Sequence, residues 1–180
     1  PAITAERFPD ARIAALSTGN VYSFVTPESG GSKETDPPGP VGEYAQSCLG
    51  RERIFEHFSR RNGTPICLVR LSYAIDLRYG VLLDIARKVH AGEPVDARMG
   101  RVNVVWQGDA NEVVLRSLGI ASSPPAVLNL TGPEKPAIRE IAEEFGRLFG
   151  RPAVVAGVEE PTSLLSNTEA LAARFGPGSV

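Results

Sequence analysis

Thr18 and Tyr44 are the pair of residues in this sequence best suited to handle a proton. Thr18 closes an apolar run, "ARIAALSTGN", and Tyr44 opens what reads as a long amphipathic helix at "YAQSC". A hydroxyl and a phenol brought to one place can share a proton with a substrate oxygen. For the phenol to act as a base near neutral pH, its ordinary pKa of about 10 must be brought down by a neighbouring cation. A lysine one helical turn beyond Tyr44 would provide that cation, but the position holds Cys48. A thiol is neutral, and a thiolate would push the phenol pKa upward. Covalent catalysis by Cys48 has no activating His or Lys in its own helical turn, so the residue is read as small and packed against a sheet. The plainer alternative for the other two is that Thr18 caps a turn and Tyr44 packs its ring beneath a loop.

The elements that must position these residues follow from periodicity. The apolar run predicts a strand over residues 12–17 whose end opens into a loop. "TPESGGSKETDPPGPVGE" crowds Pro, Gly, Ser and acidic residues together and predicts a long surface loop, of a length that often belongs to a binding site. A helix is expected from Gly42 to Arg61. Tyr44, Cys48, Ile54, Phe55 and Phe58 fall near one side, Arg51, Glu52 and Arg60 on the other, and Asn62 and Gly63 stop it. "PICLVRLSYAI" is almost unbroken in its apolar and β-branched character, as expected of a parallel strand covered on both faces. Strand, loop, helix and strand make a βαβ unit. In an open α/β sheet ligands bind at the carboxyl ends of the strands, and both Thr18 and Tyr44 lie there.

The rest alternates in the same way, with a helix at "GVLLDIARKVHAG", a strand at "RVNVVW", a helix over 110–118 and a strand at "AVLNLTG". "KPAIREIAEEFGRLFGRP" is the clearest helix, "AVVAGV" a short strand, and "SNTEALAARFG" a capped terminal helix. The fold class is therefore α/β. With 180 residues, 42% hydrophobic and 22% charged, the chain can bury one proper core. A net charge of −2 provides no basic field for a nucleic-acid backbone or an anionic membrane. Two cysteines, Cys48 and Cys67, are too few for a disulfide framework, which favours a reducing, cytoplasmic setting. The chain starts at Pro1 without Met and is read as a piece of something longer.

"LSTGNVYS", Tyr44 twenty-six residues after Thr18, "LVRLSYAIDLRYGVLLDIA" with "AGEPV", "GDANEVVLRSL" and "NLTGPE" together resemble the extended short-chain dehydrogenase/reductases, the NAD-dependent sugar epimerases and dehydratases. The resemblance covers most of the chain and begins near the family's fifth strand. It implies a partial Rossmann-like parallel sheet made of the late strands, with a small α/β carboxyl-terminal substrate domain. Residues 1–80 would be the remnant of the catalytic half and 81–180 the substrate-binding region, with strand and helix elements returning to the sheet. By the same resemblance Thr18 and Tyr44 are catalytic, Tyr44 and Tyr73 border the cofactor (NAD or NADP), and Cys48 stands where the motif has lysine. The family's glycine-rich dinucleotide turn is missing from the sequence, so this chain alone is expected to touch the nicotinamide end of the cofactor without gripping its adenosine diphosphate, and its activity is expected to be weak or absent.

The implied ligand is a sugar or nucleotide-sugar, with Ser72, or Tyr73 one residue on, as a candidate contact and Arg98 or Arg70 able to meet a phosphate. A homodimer pairing through the helix at 42–61 is the implied assembly, and a catalytically silent binding module the alternative. Asp109 is expected to cap a helix, Trp106 to pack, and His57 and His90 to bind no metal, each lacking a second ligand.

Overall fold

A computed structural model describes residues 1–176. In chain order the elements are α1 (Ala2–Arg7), β1 (Ile13–Thr18), α2 (Gly42–Asn62), β2 (Ile66–Leu71), β3 (Ala74–Ile75), α3 (Val81–Ala91), β4 (Val95–Asp96), β5 (Val105–Trp106), α4 (Gln107–Ser117), β6 (Ala126–Leu130), α5 (Ile138–Phe149), β7 (Val155–Ala156) and α6 (Glu169–Phe175). Short 3-10 turns sit at Gly19–Val21, Pro27–Ser29 and Leu118–Ile120.

The main sheet has the order β1-β2-β6 and is wholly parallel. Its register places Thr18 beside Leu71 and Leu71 beside Leu130, so the three strands end level with one another. Strand alternation divides β2 between two cores. Ile66 and Leu68 join Ala15, Phe55 and Phe58 on the α2 side, while Cys67 and Val69 join Val105, Val113, Leu128 and Leu171 on the side of α4 and α6. This double covering is what the continuous apolar run predicts. A second, smaller body packs α3 against α5 around Ile85, Val89, Val95, Val102, Ile138 and Ala142, with the parallel β4-β7 ladder beside it, while the parallel β3-β5 ladder packs against the α4 side of the main core.

Several sequence expectations need correction. The segment 65–75 is two strands, because the chain turns at Ser72 and Tyr73 to leave the main sheet for the β3-β5 ladder. Only Val105–Trp106 of "RVNVVW" is strand; the buried Asn103 instead satisfies backbone groups, its Nδ2 donating to the carbonyls of Gly132 and Glu134. Asp109 does not cap α4, which starts at Gln107; it lies in the first turn, where a carboxylate suits the helix dipole. Trp106 is substantially exposed. The short elements α1 and β4 carry no pattern strong enough to predict. No helix among the described residues is long and apolar enough to cross a membrane.

Candidate functional site

Past the level tips of β1 and β2 lies a cavity of about 350 Å³ lined by Ser17, Thr18, Asn20, Tyr44, Leu71, Tyr73 and Ala74. The βαβ geometry explains why. β1 delivers Thr18 at its last position, the chain then makes the long excursion over 19–41, and α2 starts again at the same end of the sheet with Tyr44 in its first turn. Thr18 has two jobs. Its Oγ1 accepts the Asn20 N–H at 3.2 Å and so caps the 3-10 turn, and the same side chain faces the cavity. Tyr44 does not pack beneath the loop: it is 63% exposed, and its hydroxyl makes no hydrogen bond among the described residues.

Cys48, one turn on, is buried against Val21 and Tyr22. The Arg51 guanidinium approaches it, with Nη2 at 3.4 Å from Sγ. The thiol thus serves as packing, and the cation in this stretch of the helix is directed to Cys48.

Tyr73 also faces the cavity, from the turn between β2 and β3. It has φ of 43°, the one positive φ outside glycine among the described residues. Such a backbone costs a side-chain-bearing residue on the order of 1–3 kcal/mol. The strain is held by Ser72 N–H, which donates to Leu130 O at 3.0 Å, and by Val105 N–H, which donates to Tyr73 O at 3.2 Å. Burial raises the Tyr73 phenol pKa, so the hydroxyl stays protonated.

The other sequence candidates lie elsewhere. Ser72 is buried beneath the tips with its hydroxyl 3.3 Å from that of Ser166. Arg98 borders a separate cavity with Phe24, Met99 and Glu160, where its guanidinium is already engaged by Asp96 at 2.6 Å. Arg70 is not free to meet a phosphate, being wholly inside the protein.

Sequence reasoning missed the network in which Arg70 sits. Its Nε and Nη2 donate to Glu52 Oε1 and Oε2 at 3.0 and 2.8 Å, and its Nη1 donates to the Tyr22 hydroxyl at 2.7 Å. Tyr22 donates on to Asn129 Oδ1 at 2.8 Å, and Ser17 Oγ donates to Glu52 Oε1 at 2.5 Å. Burial alone would favour loss of the Arg70 charge, but the hydrogen bonds and charge of Glu52 reverse this and raise its pKa. Asn129 Nδ2 extends the network to Ser32 O and Asn167 O. Ser17, next to Thr18, and Glu52, two turns beyond Tyr44, are thereby fixed relative to each other. The network thus ties the end of β1 to α2 beside the cavity.

Fold and site together define an open, parallel Rossmann-like α/β architecture with a polar cavity at the strand tips. No family model matches the sequence, and no curated protein is similar to it in sequence. Solved structures are similar in fold. The dTDP-glucose 4,6-dehydratase of Bacillus anthracis str. Ames, in complex with NAD, superimposes with a TM-score of 0.79 at 17% identity, over 97% of this chain and 58% of that one. MoeE5, in complex with UDP-glucuronic acid and NAD, gives 0.75 at 18% identity, over 97% and 62%. The UDP-glucose 4-epimerase of Thermus thermophilus, in complex with NAD, gives 0.73 at 20% identity, over 98% and 62%. The chain spans less than two thirds of the length of each.

A dinucleotide needs a short glycine-rich turn from a strand into a helix, whose amides and positive end hold the pyrophosphate. Here β1 runs into a 3-10 turn and a long loop, β2 runs into β3, and β6 reaches α5 through "TGPEKPA". The described residues therefore do not offer that cradle, and no redox step follows from them alone.

Proposed function

We propose that this chain is the substrate-facing portion of an NAD(P)-dependent epimerase or dehydratase acting on a sugar or nucleotide-sugar. The observation that carries the reading is the cavity at the strand tips lined by both Thr18 and Tyr44, in a fold that nucleotide-sugar enzymes share. In this reading residues 1–80 supply the proton-handling hydroxyls and 81–180 most of the sugar-binding surface, of which residues 177–180 lie outside the described part. Tyr44 OH and Thr18 Oγ1 hydrogen-bond one substrate hydroxyl, and the Tyr44 oxygen, when ionised, takes that hydroxyl's proton and becomes the neutral phenol. Tyr73 borders this ligand and, with Tyr44, the cofactor. Either NAD or NADP is the cofactor, gripped by residues beyond those described, and the setting is the reducing cytoplasm. Pairing of two copies through α2 is the assembly that accompanies this reading.

A second reading has one observation in its favour. Cys48 occupies the place of the activating cation and is buried as packing, which suits a silent relative that binds the sugar without turning it over.

The test uses the protein in the longest form its reading frame encodes. A ligand bound only by the native state raises the melting temperature. UDP-glucose at millimolar concentration should raise Tm, NAD should raise it further, and Tyr44→Phe should abolish turnover while keeping the UDP-glucose shift. A shift without turnover in the unaltered protein selects the silent module. No shift with either ligand overturns both readings.

A further inference from the structure

Tyr73 lines two cavities. One is the strand-tip cavity with Thr18 and Tyr44. The other, of about 190 Å³, is floored by Val81, Ile85, Val102 and Ile138 beneath α3, with Asp84 and Lys88 also lining it. Tyr73 is the one residue lining both.

We propose that Tyr73 is the specificity-determining residue of the site: its ring is the partition between the proton-handling cavity and the apolar recess, and it fixes how large a substituent a bound sugar can carry toward α3. The inference rests on the sugar-binding reading above. Three features of the residue support it. Its backbone is held at a φ that favours glycine or asparagine, by hydrogen bonds from two other elements, so the ring is placed by the fold and not by its own preference. The hydroxyl makes no hydrogen bond among the described residues, so nothing ties the ring to a polar anchor. The residue is part buried and part exposed, as a wall between two hollows would be, and burial raises its phenol pKa. The recess is small and mainly apolar, which fits an acyl-sized group such as an acetamido methyl and not a second sugar.

The experiment measures dissociation constants for UDP-glucose and UDP-N-acetylglucosamine by titration calorimetry on the full-length protein. Tyr73→Phe keeps the wall, and the ratio of the two constants should stay within about twofold. Tyr73→Gly removes the wall and relieves the backbone, and the ratio should shift toward the N-acetyl ligand by about tenfold or more, the discrimination a few apolar atoms can give. Tyr73→Asn, which tolerates the same backbone, should shift it in the same direction. An unchanged ratio in Tyr73→Gly, with both ligands still binding, overturns the partition and leaves the sugar-binding reading intact. Binding of neither ligand by any form overturns that reading and the partition with it. A crystal structure of Tyr73→Gly should show one merged cavity; two cavities still separated by other atoms would overturn the proposal whatever the ligands do.

Discussion

Glu52 and Arg70, on α2 and β2, meet inside the protein through two hydrogen bonds of 3.0 and 2.8 Å, with both side chains almost wholly withdrawn from water. A buried pair of this kind is costly to break and of little net value to keep, because removing one partner strands the other charge. Glu52→Gln or Arg70→Met should each lower the unfolding free energy by about 3–5 kcal/mol, read from urea denaturation. The double variant Glu52→Met, Arg70→Met should recover most of that loss. Additive losses in the double variant would mean that the pair is not coupled.

Cys67 lies at the centre of the main sheet, where burial pushes its thiol pKa up to about 11 from 9.0, against the smaller opposing effects of the Ser117 hydrogen bond and the Arg174 charge. Its folded pKa is the higher one. The unfolded chain therefore ionises first as pH rises, and the stability linked to Cys67 is complete below pH 9.0 and lost on the way to about 11. That loss is about 2–3 kcal/mol. The difference in stability between the unaltered protein and Cys67→Ala should be constant at neutral pH and shrink by that amount across the alkaline window. A difference curve with no slope there contradicts the assignment.

Cys48→Ala should cost under about 1.5 kcal/mol, since a small residue in a packed position is replaced by another. Cys48→Lys sets an ammonium among Val21, Tyr22 and the Arg51 guanidinium. It should cost about 2–3 kcal/mol. Urea midpoints of the two variants, compared at one pH, check the order; equal midpoints would show the helix face to be looser than its burial indicates.

Gly31 and Gly42 both have positive φ, at 93° and 82°, but their surroundings differ. A Cβ on Gly31 would stand 2.6 Å from the Ser166 carbonyl carbon, whereas a Cβ on Gly42 meets nothing within 4 Å. Gly42→Ala should cost about 1 kcal/mol, from the backbone conformation alone. Gly31→Ala should cost clearly more, with the excess measured as a lower Tm.

Much of this arrangement was legible in the residue pattern. The helix beginning at Gly42 and the doubly covered β2 follow from periodicity, and the binding of ligands at the carboxyl ends of an open α/β sheet put Thr18 and Tyr44 at one place. Glu52 was misplaced for a physical reason. Ala45, Cys48, Glu52, Phe55 and Ser59 recur at spacings of three and four and form the buried stripe of α2, but a carboxylate is assigned to water unless its partner is known. That partner, Arg70, shares the face of Ile66 and Leu68 by strand alternation, so each half of the pair was visible and only their juxtaposition was not. Ile54 and Tyr44 err in the opposite sense, being apolar or aromatic yet exposed on α2. The turn at Ser72 and Tyr73 was invisible because it runs against local preference: "LSYAI" reads as strand throughout, and a tyrosine with positive φ is fixed only by the tertiary hydrogen bonds around it.

The stretch between β1 and α2 is long, but it is not loose. Val25 exchanges backbone hydrogen bonds with Ser163, Ser32 N–H donates to Leu165 O, Ser32 O accepts from Asn167 N–H and Asn129 Nδ2, and Glu34 accepts the Asn129 N–H. A loop held along its middle to residues 163–167 and to Asn129 cannot swing aside as a flap. Of the residues lining the hollow at the strand ends, Tyr44 is the most exposed, so its phenol is the group most open to an arriving molecule.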